Sequence, residues 1–378
     1  MKLFVNSFLQ SKYFLYCFPF FVMIFVFLTN SPSFKFVLSN ELNLIGWDVV
    51  KYKSNHLLSN LDHVIQASHF SKTVFRLTVP LVVRMFQLNF PSLIVLQFLL
   101  YYFFIFFLVK YFIRELNQYF LSLLLVFGLC TTYFGKALIV DFRWFDGWAY
   151  LFMVLSLYSK NRYVLFFSVL LGMFTDERFV FAVPAIFLLR QEFIQITSFR
   201  SINFTSKNSF TILVGVVASF IIRFVLVVFF NMHLNRVGIF TPLVDNVLNR
   251  LIGIGYFTFF EGFWIFVLYF LLHLKRSFKK NMLTVSILLI FFVGTSSVFL
   301  LYDLTRAGAY FMPYIFLYII VLSKTIQKEI FTHLVFTSVF ISFLFPPNYV
   351  VNGIGINNFI INDYFYIVLK KFFVMFNL

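Results

Sequence analysis

The chain has 378 residues, 61% of them hydrophobic and 12% charged, with a mean hydropathy of +0.92. A soluble domain is about half apolar and about a quarter charged, and no single soluble core buries this much apolar sequence. The net charge of +16 in so apolar a chain reads as cationic inner loops rather than a nucleic-acid surface, and the two cysteines, Cys17 and Cys130, lie in separate apolar segments, which argues against a disulfide framework.

The apolar residues come in runs of roughly 18 to 22, the length that crosses a bilayer. The segment Met1–Tyr13 leads into an apolar stretch with no small-residue cleavage site, so the first helix, roughly 12–29, is expected to be retained and to run outward. Residues 30–90 then stay outside. Basic inner markers order the rest: Lys110 with Arg114, Lys160 with Arg162, Arg190 through Lys207, Lys275 to Lys280, and Lys324 with Lys328. Between them, helices are expected near 91–112, 118–136, 144–159, 163–175, 178–190, 210–231, 253–272, 282–301, 306–323, 330–346 and 359–376. The helices at 163–175 and 178–190 are short for a full span and tilt, sit in a locally thin region, or form one kinked helix. The expectation is an all-α polytopic transmembrane bundle of about 10 to 12 helices, a single integral membrane domain. Its N-terminus is expected in the cytoplasm, in the plasma (inner) membrane.

Phe accounts for 63 residues. Lipid-facing positions accept any large apolar side chain, so the Phe runs carry no binding role. The acids, which did not enter the placement of helices, sort to one side. Glu41, Asp48, Asp62, Asp141, Asp146, Asp176, Glu177, Asp245, Glu261 and Asp303 fall outside or at the outer edge, Glu115, Glu192 and Glu329 fall inside, and Asp363 falls on neither side clearly. A polar site at the outer face explains this sorting. So does simple avoidance of the basic inner loops.

The long first outer loop is rich in aromatics and aliphatics, so it is expected to be ordered, with interfacial helices at Asn60–Phe70 and Val74–Leu88. Within it, Asp48 follows the interfacial anchor Trp47. Either Asp48 or Asp62 can act as a general base on a hydroxyl. His69, Lys72 and Arg76 recur at helical spacing and suit a phosphate or a lipid headgroup. The sharpest local feature is Thr175-Asp176-Glu177-Arg178, which interrupts an apolar run; ionisable residues at that depth face a cavity or a partner. Arg178 can neutralise one of the two acids and leave the other as a catalytic candidate. Alternatively the four residues form only a tight outer turn. Asp146 begins a helix beside Trp144 and Trp148, and the dipole favours it there. Arg306, next to Asp303, can hold a lipid phosphate or pair with that acid. Arg223 lies inside an apolar helix and is expected to pair within the bundle. No phosphate-cradling glycine loop, zinc-helix motif, serine elbow or dinucleotide fingerprint is present, and the six His form no ligand pattern.

This layout resembles the GT-C superfamily of membrane glycosyltransferases: an outward first helix, a large extracytoplasmic loop with interfacial helices, then a bundle entered after an Arg76…Pro80 step. The resemblance implies a catalytic carboxylate in the first loop, with Asp48 or Asp62 in that role. It also implies basic residues for the donor phosphate, with Arg76, Arg178 and Arg306 as candidates. Its donor is a polyprenyl-phosphate sugar, and the acceptor a glycan, lipid or protein. The loop lacks the acidic pair many members carry, so no metal ligand is assigned and the divalent-cation requirement stays open. Two alternatives use the same features: a polysaccharide polymerase or ligase acting on lipid-linked sugars, and a transporter or flippase. Transport predicts paired broken helices in two halves, of which the sequence displays one.

Overall fold

The computed structural model describes residues 12–29, 45–58, 74–140, 145–191, 206–232, 252–277, 282–301, 303–344, 348–351 and 354–357. Helices α1 (Lys12–Thr29), α2 (Ile45–Asn55) and α3 (Thr78–Phe86) precede the long α4 (Phe90–Leu116). Then come α5 (Tyr119–Thr131), α6 (Tyr133–Val140), α7 (Asp146–Tyr158), α8 (Arg162–Thr175), a 3-10 turn at Glu177–Ala182, α9 (Val183–Leu189) and α10 (Lys207–Phe230). Next are α11 (Ile252–Phe260), α12 (Trp264–Ser277), α13 (Met282–Ser297), α14 (Leu304–Gly308), α15 (Met312–Thr325) and α16 (Lys328–Leu344). Short 3-10 turns at Glu261–Phe263, Val298–Leu300 and Ala309–Phe311 interrupt this second half.

Among the described residues, four helices are long and apolar enough to cross a membrane: Phe90–Leu116, Lys207–Phe230, Gly255–Leu272 and Leu304–Thr325. The pair α5–α6, bent by 68°, makes a fifth if counted as one span. The chain is therefore an all-α, multi-pass membrane protein.

Local chemistry sets the element ends. Asn89 accepts from the Ser92 N–H (2.9 Å) with Pro91 in the first turn of α4, and Asn117 closes that helix in the left-handed conformation. Asn161 caps α8 by accepting from Tyr163 and Val164. Asn231 ends α10 at a φ of 51°.

The span Leu304–Thr325 is 89% buried and lies at the centre of the bundle, whereas Lys207–Phe230 is 22% buried and lies at its edge. Around the centre, Phe316 packs edge-on against Phe112 and Phe134. Helix α1 runs antiparallel to α4, with Tyr16 on Phe106 at one end and Phe27 on Phe98 at the other.

Helix α7 fixes the two ends of the molecule. Its thirteen residues rise about 20 Å. At its C-terminal end the Arg114 guanidinium donates to the carbonyls of Leu157 and Tyr158, and Arg190 donates to Leu157. Cations there offset the negative end of the helix dipole. At its N-terminal end stands Asp146.

Several expected elements change. The span expected at 118–136 is two helices, because the chain turns at Thr132, whose side chain bonds back to Leu129. The segments 163–175 and 178–190 do not form one kinked helix; Asp176 adopts extended backbone and caps the 3-10 turn that separates α8 from α9. The spans near 253–272 and 306–323 are each broken by a 3-10 turn. In the first loop, α3 falls inside the expected Val74–Leu88, whereas α2 was not expected as a helix. A short antiparallel hairpin pairs Asn348–Val351 with Ile354–Asn357 beyond α16, where only a connection was expected. The expected helices at 60–70 and 359–376 lie outside the described residues.

Candidate functional site

Polar side chains from five segments meet at the end of the bundle where α7 begins. The segment before α3 is anchored first. The Leu77 N–H donates to the Phe174 carbonyl (2.8 Å) and the Thr78 hydroxyl to the Leu171 carbonyl (2.9 Å). These bonds lay residues 74–78 along the end of α8. Val74 and Phe75 then pack with Phe174, Leu226 and Met232 into a small second core. The consequence is that Arg76, a loop residue in sequence, stands over the Asp176-Glu177 turn.

The charges there form one alternating chain. Arg76 Nη2 contacts Glu177 Oε1 and Asp176 Oδ2, both at 3.0 Å, and its Nε–H donates to Glu177 Oε2. Arg178 grips Asp176 through its Nε–H (2.8 Å) and Nη2, and the same Nη2 reaches Asp146 Oδ1 at 3.1 Å. Arg306 donates Nε–H to Asp146 Oδ2, and its Nη1 reaches Asp303 Oδ2 at 3.1 Å. Tyrosines complete the shell. The Tyr133 and Tyr310 hydroxyls donate to Asp146 at 3.3 and 3.4 Å, Tyr150 donates to the Arg306 carbonyl, and the Arg178 guanidinium lies 5.2 Å from the Tyr310 ring centroid.

Access differs sharply along this chain. The side chains of Asp176 and Asp146 are 0% and 1% exposed, whereas Glu177 is 37% and Asp303 18% exposed. Asp176 is held by two guanidinium groups, and Asp146 by two guanidinium groups and two hydroxyls. Both are locked in place, as buried carboxylates must be. Glu177 has one guanidinium partner and an open side.

Beneath Arg76, α2 inserts Lys53. Its ammonium donates to the Val74 carbonyl at 3.0 Å. Burial, and then the adjacent Arg76, push the Lys53 amine down to about 7 despite the attraction of Glu177. Burial works against the charge on Arg76, but Asp176 and Glu177 outweigh it and hold that guanidinium above its ordinary value. The open end of the chain is thus a carboxylate beside a permanent cation and an amine poised near neutrality.

Six of the residues singled out in the sequence can be placed in this way. Arg76, Asp146, Asp176, Glu177, Arg178 and Arg306 all belong to the ionic chain. Asp48 lies on α2, two positions before the buried Val50, with its side chain outside the described set. Asp62, His69 and Lys72 lie outside the described residues, as does Asp141. Arg178 does not leave one acid of its turn free, because Arg76 takes the other. Arg306 pairs with Asp303 and also with Asp146. Arg223 finds no acid within ion-pair reach among the described residues; it donates to the Met173 carbonyl and lies near the rings of Phe75 and Phe174. Sequence reading missed Lys53, Tyr133, Tyr150 and Tyr310. A lysine in a loop helix and tyrosines in apolar runs carry no signal of their own. Among the described residues, no three His, Cys, Asp or Glu side chains cluster as metal ligands.

No family model matches the chain, and no curated protein or solved structure matches it either.

Proposed function

We propose that the chain is a membrane glycosyltransferase of the GT-C kind, moving a sugar from a polyprenyl-phosphate donor to an acceptor at the extracytoplasmic face. The observation that supports this reading most is the ionic chain opening at Glu177, beside Arg76 and Lys53, at the bundle end opposite Arg114 and Arg190. Cations favour the cytoplasmic side, so this reading takes the Glu177 end as the outer one and the start of α1 as inside, with the plasma (inner) membrane as the membrane crossed.

Inverting transfer needs a base on the acceptor hydroxyl and positive charge where the leaving phosphate develops its own. Glu177 is the accessible carboxylate held by a single guanidinium, and it joins Asp48 and Asp62 as the candidate base. Arg76, with Lys53 behind it, supplies cationic charge at the same place. Asp146, Asp176, Arg178 and Arg306 hold the geometry.

The test is incorporation of labelled sugar into lipid or glycan by membranes containing the chain. It is run beside Asp48→Asn, Asp62→Asn and Glu177→Gln variants that insert normally. Loss of transfer in at least one variant is expected. Full transfer in all three overturns the assignment of the base, and no transfer by the unaltered chain over a broad donor panel overturns the reaction. A second reading, transport of a polar solute or lipid, is favoured by the broken spans at Thr132 and Glu261, since discontinuous helices line the sites of many transporters.

A further inference from the structure

Inside the bundle, Lys136 and Glu261 are both buried, and each offsets the other's charge. Arg223, on α10, is not matched in this way. Asp176 and Glu177 act on it electrostatically, but Asp176 is gripped by Arg76 and Arg178, and Glu177 by Arg76. The Arg223 side chain is half-buried. Its Nη2 donates to the Met173 carbonyl. Its Nε–H is buried without a partner, and its Nη1, which also bonds nothing among the described residues, is not buried. The rings of Phe75 and Phe174, 5.7 and 5.6 Å away, make its covered side aromatic. A neutral carbonyl and two rings leave the charge of Arg223 standing, and such a charge on a membrane-spanning helix is costly unless an anion meets it.

The open side of Arg223 faces lipid. Phe220 and Phe224 beside it are 52% and 67% exposed. Leu213, Val217, Phe220 and Phe224, all exposed, recur at four, three and four residues and form one apolar stripe along α10. The depth follows from the neighbouring helix. Gly215 packs against Val169 and Arg223 against Met173, so α8 and α10 run side by side in the same direction. Arg223 thus stands at the last turn of α8. Glu177, with its side chain 37% exposed, is four residues beyond Met173, so the polar boundary on this flank lies just past Arg223. The 14 residues of α8 rise about 21 Å, short of the roughly 30 Å hydrocarbon core. A short span draws lipid headgroups inward.

We propose that Arg223 binds the phosphate of a bilayer phospholipid at the seam of α8 and α10, in the leaflet on the Glu177 side. An acyl chain of that lipid lies along Leu213, Val217 and Phe220. Phosphate is the anion that the bilayer itself supplies at this level, and a guanidinium meets it as a planar fork of donors. The phosphate neutralises Arg223 and accepts from the Nη1 that the protein leaves open. The site does not depend on the glycosyltransferase reading, because its ligand is a constituent of the membrane.

The test uses the purified full chain, delipidated in detergent, with lipid binding read by native mass spectrometry. The probes are phosphatidylglycerol, phosphatidylethanolamine, diacylglycerol as the phosphate-free control, and a short-chain polyprenyl phosphate. Both phospholipids are expected to bind the unaltered chain, with diacylglycerol about tenfold weaker or more, the worth of one charge-assisted contact. Arg223→Gln should lose that preference, and Arg223→Lys should keep part of it. Phospholipid binding unchanged in Arg223→Gln, or diacylglycerol binding as tightly as the phospholipids, overturns the inference. Polyprenyl phosphate held through Arg223 with no competition from either phospholipid also overturns it, and gives the site to a different lipid. A second measurement needs no variant: a phospholipid with a photoreactive group next to its headgroup should label the unaltered chain between Phe220 and Phe224. Labelling spread evenly to Val95 on α4 and Phe343 on α16, exposed near the same end of the bundle, overturns the inference.

Discussion

Arg306 donates its Nε–H to the Asp146 carboxylate across 160 residues of chain, tying the start of α7 to the start of the central span. Both side chains are almost completely buried, at 2% and 1% exposure, and each has a second ionic partner. Asp146 is therefore the node at which α6, α7, α14 and the Asp176 turn are joined.

Removing that node leaves two buried guanidinium groups without their shared carboxylate. Asp146→Asn should destabilise the fold by about 3–5 kcal/mol, the usual loss when one partner of a buried pair is deleted. Glu177→Gln, at the exposed end, should lose about 1 kcal/mol or less. Thermal unfolding of the two purified variants checks the ordering, and equal losses would show that burial does not grade this chain.

Lys53 predicts a pH dependence of opposite sign to that of an ordinary salt-bridged lysine. Its amine is near 7 in the folded chain against 10.5 when free. Between those values the unfolded chain holds a proton that the folded chain does not, so stability rises with pH. The penalty is fully present below about 7 and is relieved as pH climbs towards 10.5. Unfolding midpoints taken from pH 6.5 to 9 should climb in the unaltered chain, and Lys53→Met should flatten that climb.

Two glycines test how closely the helices approach. A Cβ on Gly147 would lie 2.6 Å from the Leu138 backbone nitrogen, so α6 and α7 must separate to admit it. A Cβ on Gly215 would lie 3.1 Å from a Val169 side-chain carbon, which can adjust. Gly147→Ala should lower the yield of folded protein sharply, while Gly215→Ala should fold at near-normal yield. Size-exclusion profiles of the two variants decide it.

The orientation is open to direct test by labelling. In a background with Cys17 and Cys130 replaced by serine, Asn55→Cys should react with a membrane-impermeant maleimide in intact cells. Lys160→Cys should react only after lysis. Both positions are exposed in the fold, so the reverse pattern would put the ionic chain on the cytoplasmic side.

The sequence by itself determined the solvent and the class of fold. Apolar runs of membrane-spanning length leave little choice but helices, because backbone groups in lipid must bond within their own segment. The sorting of acids and bases along the chain also pointed to Asp146, Asp176, Glu177, Arg178 and Arg306 as belonging to one face. What the tertiary structure decided is who is paired with whom. Arg76 could be read as a free phosphate ligand until Leu77 and Thr78 bonded to α8 and laid it across the Asp176 turn. Lys53 and Glu261 carried no local signal, because a lysine on a loop helix and a glutamate at a helix entry are ordinary. Their character comes from burial by elements far away in sequence, and from helix breaks that hydrophobic periodicity does not mark: an apolar segment reads as one span whether or not its backbone turns within it.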